Sequence, residues 1–149
     1  MSGKIFVDTN VLVYSRDASE AKKQPHAMHW MKQLWISRTG RLSFQVLQEF
    51  YSIVTTKLQP GMEPQRARED VQSLIAWNPI PISIDVIKGA WFIQDQFQLS
   101  WWDSLIISAA QIGDCNYLLT EDLQESQILG SVSVLNPFLH SPESLKLHL

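Results

Sequence analysis

The chain has 149 residues, 45% of them hydrophobic, and a formal net charge of −3. That is one domain's worth of chain with enough apolar content for a single core, which excludes an intrinsically disordered protein. The weak negative charge also excludes a protein that gathers nucleic acid through an overall basic field, so a polyanion would be met by a local patch or through bound cations.

The N-terminal "MSGKIFVDTN" has no long apolar core of the signal-peptide kind, and no apolar run approaches the length of a membrane span. A soluble, cytoplasmic protein is expected. "IFV" (Ile5 to Val7) reads as a short buried strand, and Asp8, Thr9 and Asn10 are cap candidates for a brief helical turn. From about Pro25 to Ser37 the spacing of Met28, Met31, Leu34 and Trp35 predicts a helix. "RLSF" is a candidate short strand, and Ser43 a plausible N-cap for a helix running to about Lys57. "QPGMEP" (Gln59 to Pro64) breaks the chain. A helix to about Trp77, the extended "NPIPISI" and a helix from Asp85 to about Phe97 follow. Ser100 opens a strongly apolar helix that stops at Gly113. The single cysteine, Cys115, excludes an intramolecular disulfide, fits a reducing interior and has no activating neighbour in sequence. "NYLLT" and "VSVL" read as strands, and the tail after Pro137 as peripheral.

Strands alternating with helices predict a three-layer α/β/α sandwich around a mostly parallel sheet. It forms a single domain over 1–149 with its core at about 4–137. Ligands of such sheets bind beyond the carboxyl ends of the strands, where Asp8 and the residues after Leu119 fall.

Four acids stand in awkward places. Asp8 directly follows a buried strand, where it either caps a turn or holds charge. Glu49 has Val46, Phe50 and Ile53 as helix-surface neighbours, on the flank of an apolar face, with Gln48 and Ser52 on the solvated side. Asp103 shares a face with Ile106, Ile107 and Ala110, while Ser104, Ser108 and Gln111 mark the polar stripe; Ser100-x-x-Asp103 is also a capping-box pattern. Asp122 follows an apolar strand, with Glu121 as the fallback acid. Brought to one edge of the sheet, four carboxylates cannot all stay ionised without a counter-charge. Oxygen-only ligation points to a hard cation, Mg2+ or Mn2+, held together with a substrate phosphate. The histidines, His26, His29, His140 and His148, read as surface residues rather than a second ligand set.

At these residues the sequence resembles the PIN-domain (PilT N-terminus) ribonucleases, and most closely the VapC-type toxins of bacterial toxin–antitoxin pairs. The resemblance lies in "FVDTNVLVY", "SFQVLQEFY", "WWDSLIISAA" and "YLLTEDL", four blocks in order from Lys4 to about Pro137. It implies a PIN-like fold and a metal-dependent endoribonuclease with Asp8, Glu49, Asp103 and Asp122 as the acidic quartet. Asn10 and Thr120 match supporting positions. It also implies an RNA substrate, a cognate small antitoxin and a homodimer. Ser104 stands where alanine is frequent. Lys22, Lys23, Lys32, Arg38 and Arg41 are candidates for one RNA-binding rim, with a solvated helical face as the bland reading. Trp101 and Trp102 read as core or dimer interface ahead of a base-stacking pair.

Rival readings are weaker. A phosphatase of the haloacid dehalogenase type wants a second aspartate two residues after the first, and Asn10 stands there. A nucleotide-binding protein wants a Gly-rich phosphate loop after the first strand, which the chain lacks. The alternative that remains is a catalytically silent PIN-fold module that binds protein or RNA.

Overall fold

Three consecutive apolar residues open the fold. Ile5–Val7 form β1 with every residue buried, the pattern of a strand covered on both faces. The computed structural model describes residues 3–145. In it β1 lies between β2 (Gly40–Arg41) and β3 (Tyr117–Leu119), parallel to both. Val132–Leu135 (β5, after Ile128–Leu129, β4) is parallel to β3, and β4 closes the edge antiparallel to β5. The order β2-β1-β3-β5-β4 is the mostly parallel sheet the sequence predicts. Among the described residues six α-helices pack on it: α1 (Thr9–Ser15), α2 (Lys23–Ser37), α3 (Phe44–Thr56), α4 (Pro64–Leu74), α5 (Ile84–Phe97) and α6 (Trp101–Ile112).

Serine starts three of these helices. The hydroxyls of Ser43, Ser83 and Ser100 accept from the amides of Val46, Val86 and Asp103, each satisfying an orphan donor of a first turn. The Ser100–Asp103 capping box is therefore half formed: the serine half is made, and no return bond from Asp103 to the Ser100 amide occurs among the described residues. Pro64 sits at the start of α4, where its missing N–H costs nothing.

Two expectations need correction. Ser104 and Ser108 do not form a solvated stripe, because both are buried. Their hydroxyls donate instead to backbone carbonyls, Ser104 to Ser100 (2.8 Å) and Ser108 to Val86 on α5 (2.7 Å). A buried hydroxyl with a partner is tolerated where an unpaired one is not, so α6 is covered on nearly all sides. Nor is the stretch just after Pro137 peripheral, as far as His140. Trp30 Nε1 donates to the carbonyls of Pro137 and His140, both at 3.1 Å, and Phe138 meets Tyr14 edge-on at 5.4 Å. His148 lies outside the described residues.

The register decides where the site falls. Val7 pairs with Leu119 at the carboxyl ends of β1 and β3, so Asp8 and Thr120 leave the sheet side by side. The Asp8 amide donates to the Leu119 carbonyl at 3.0 Å.

Candidate active site

Asp8 meets the capping reading and has a second oxygen to spare. As N-cap of α1 its Oδ1 accepts from the Thr9 amide at 2.7 Å, while Oδ2 accepts from the Thr120 hydroxyl at 2.8 Å. The residue is only 7% exposed. Burial pushes its carboxyl up to about 7; the bonds from Thr120 and Thr9 oppose the rise, and the charges of Asp122 and Asp103 add to it. A carboxyl so placed is poised to gain from a cation.

The Thr120 hydroxyl is the hub. Besides donating to Asp8 it accepts from Asn10 Nδ2 (3.3 Å) and from the Asp122 amide (3.1 Å), which uses the full capacity of a hydroxyl. The second hydrogen of Asn10 Nδ2 goes to Asp122 Oδ2 at 2.8 Å. Asn10 Oδ1 is buried with no partner among the described residues.

Asp103 is half-buried on the first turn of α6. Burial raises its carboxyl; the Ser100 hydroxyl opposes this and the Asp122 charge adds to it. Glu49 is half-buried on α3 and accepts from Gln45 Nε2 at 2.9 Å. Asp122 is exposed after β3. All four acids line one cleft of about 300 Å3, together with Asn10, Tyr14, Gln45, Ile106 and Trp102. Glu121 takes no part in it. Its carboxylate accepts from the Tyr14 hydroxyl and from Lys23 Nζ (2.8 Å), so Asp122 rather than Glu121 faces the cleft. A larger cavity, about 620 Å3, lies among Met28, Met31, Trp35 and Phe50 and carries the Arg16–Asp70 ion pair. Its walls hold none of the four acids, so the smaller cleft is the chemical candidate.

Sequence reasoning missed Gln45. It is 8% exposed and reaches one helical turn along α3 to orient Glu49; an uncharged amide in a helix carries no signal of that role.

The donor set suits a hard, hydrated cation rather than a protein cage. Among the described residues no group of three or more His, Cys, Asp or Glu side chains is gathered closely enough to hold a metal by itself. Carboxylate oxygens offered in ones and twos along the cleft are what Mg2+ with its retained waters fits. Among the described residues histidine offers no alternative: His29 and His140 pair with Glu143 and Glu125, each at 2.6 Å, and His26 is exposed. Cys115 is buried, and burial pushes its thiol up to about 11, which leaves it inert at neutral pH.

The expected single cationic rim divides in two. Lys22 and Lys23 stand at the start of α2 and Arg38 at its C-cap, about 22 Å away at 1.5 Å per residue. Lys32 lies between them and is exposed. Arg38 comes two residues before β2, and Arg41 is its last residue, paired with Phe6 and donating from Nη1 back to the Arg38 and Gly40 carbonyls (3.2 and 2.7 Å). Lys23 borders the cleft through Tyr14, 4.8 Å from that ring's centroid.

With the geometry in hand, the chain can be set beside known proteins. A family model described as PIN domain matches residues 5–128. No curated protein matches. Among solved structures, a toxin–antitoxin complex from Klebsiella pneumoniae is similar with a TM-score of 0.64 and 19% identity, over 90% of this chain and 98% of that one. VapC20 of Mycobacterium tuberculosis, a toxin that cleaves the sarcin–ricin loop, is similar with a TM-score of 0.59 and 18% identity, over 80% of this chain and 90% of that one.

Proposed function

The chain belongs to the PIN-domain family, and from that premise we propose that it is an endoribonuclease dependent on Mg2+ or Mn2+, acting as the toxin of a toxin–antitoxin pair. The observation that carries the reading is the convergence of Asp8, Glu49, Asp103 and Asp122 on one cleft, with Asp8 too deeply buried to hold its charge unaided. Crowded anions disfavour one another, so a scaffold gains nothing from this arrangement unless a cation is part of its working state.

Asp8 and Asp103 are assigned as the main metal-holding side chains, with Glu49 and Asp122 completing the set directly or through water. A divalent cation held there would lower the pKa of a bound water and offset the charge that develops on the scissile phosphate. The other residues fix these carboxylates. Thr120 holds Asp8 by one oxygen, the Thr9 amide holds the other, Asn10 restrains Asp122, and Gln45 restrains Glu49. Lys22 and Lys23 are assigned to RNA phosphates outside the cleft, and Arg38 and Arg41, beyond the other end of α2, to phosphates of a longer RNA at most. A toxin role implies a cognate small antitoxin, which the likeness in fold to a toxin–antitoxin complex supports. The homodimer rests on the family resemblance.

The test is cleavage of RNA by the purified chain with Mg2+, with Mn2+ and after chelation. Asp8→Asn and Asp103→Asn are each expected to cut at least about a hundredfold more slowly, the scale on which metal sites respond to altered ligation. Undiminished cutting by either variant, or by the chelated protein, overturns the assignment.

A further inference from the structure

We propose that Trp102 forms a nucleobase subsite of the cleft, stacking an unpaired base next to the scissile phosphate. The inference rests on the ribonuclease reading and adds to it the group by which the substrate is recognised.

The paired tryptophans part company in the fold. Trp101 packs against the core, whereas Trp102 is 64% exposed although residues 104–110 behind it are all buried. Its indole stands in water at the mouth of the cleft. It stands beside Asp103 on the first turn of α6, and Ile106, one turn on, lines the same cleft and is buried. Trp102 and Asp103 are carried by the same helix and line the same cleft.

The walls of the cleft say what such a platform would hold. Among the described residues they include no lysine or arginine, so a nucleotide's phosphate meets four acids and no basic side chain unless a cation intervenes. A base carries no charge and is repelled by none of them. Every base presents a π-face to an aromatic side chain. Tyr14, the other aromatic of the cleft, is already engaged: its hydroxyl bonds Glu121, Lys23 lies over its ring, and Phe138 meets it edge-on. That leaves Trp102 as the free ring. The space, about 300 Å3, is at the lower end of small-ligand sites, fit for one nucleotide rather than a duplex.

The experiment uses the full chain with Mn2+ and a labelled single-stranded RNA pool of randomised sequence, from which a cut oligonucleotide is chosen. Trp102→Ala should raise KM about ten- to a hundredfold with kcat within about threefold, the loss expected of one stacked base. Trp102→Phe should recover most of it, and Trp102→Leu should not. An abasic substitution beside the cut should weaken the wild type by a similar factor and add nothing to Trp102→Ala. Circular dichroism checks folding, and light scattering after size exclusion checks assembly. Wild-type KM in Trp102→Ala overturns the subsite, as do full additivity with the abasic substrate and a KM change that tracks dissociation of a dimer. In each of those cases the Asp8→Asn loss of cleavage leaves the ribonuclease reading standing. A wild type that cuts no RNA overturns both.

Discussion

A single hydroxyl, that of Thr120, ties together the ends of two strands and the start of a helix. Its removal tests whether the carboxylates work as a positioned set. Thr120→Val keeps the shape but leaves Asp8 Oδ2 and Asn10 short of a partner. An unsatisfied buried group costs about 1–3 kcal/mol, and loss of a residue that orients a metal ligand costs about 10–100-fold in metal affinity. Calorimetric titration of Mn2+ should show that loss, urea unfolding the destabilisation, and Thr120→Ser should recover most of both. Unchanged Mn2+ affinity in Thr120→Val would remove Thr120 from the site. At this scale much was legible in the sequence, because a carboxylate behind an apolar run is costly wherever it goes and so draws attention. What was not legible came from partners distant along the chain. Glu121 and Asp122 are told apart by Tyr14 and Lys23, about a hundred residues upstream, and Gln45 looks like any solvated amide until Glu49 is seen beside it.

The helices that carry the acids are held by contacts that can be tested separately. At Gly89, in the middle of α5, a Cβ would lie 2.5 Å from Ser108 Oγ on α6. Helix propensity alone favours alanine there by about 0.5–1 kcal/mol, while overpacking a core costs about 1–3 kcal/mol. The second effect should win, because the Ser108 hydroxyl is buried and bonded to the Val86 carbonyl and has little room to yield. Gly89→Ala is expected to lower stability by about 1 kcal/mol in urea. Gly89→Ala with Ser108→Ala should show a favourable coupling of similar size, the signature of a direct contact; additive losses would deny it. Most elements could be read beforehand because Ser43, Ser100 and Gly113 mark their ends and β1 and β3 are unbroken apolar runs. β4 could not, since two residues turned back at Gly130 (φ 65°) carry no periodicity. The docked tail is silent for a related reason: the acceptors that hold Trp30 are main-chain carbonyls, which no side-chain pattern announces. The cationic rim failed because neighbours in sequence become opposite ends of a helix.

For the whole molecule the cleft is a source of instability with a defined pH dependence. Burial holds the Asp8 carboxyl up at about 7 in the fold, against about 3.9 for a free aspartate, so between those values the folded state binds a proton that the unfolded state has released. Stability therefore falls as pH rises through that window and levels off above it. The scale is 1.36 kcal/mol per pH unit, on the order of 4 kcal/mol if Asp8 acts alone, and Asp103, raised as well, acts in the same direction. Unfolding of the metal-free protein from pH 4 to pH 8 should show this decline. Asp8→Asn, which has no proton to lose, should flatten it and be the more stable protein at pH 8. Metal reverses the sign of the effect. A cation needs the ionised carboxylate and competes with its proton, so millimolar Mn2+ should raise Tm clearly at pH 8 and little at pH 5.5. Parallel pH profiles for the wild type and Asp8→Asn, or equal Mn2+ stabilisation at both pH values, would mean that Asp8 bears no charge worth compensating. The cleft would then lose its physical reason for a metal.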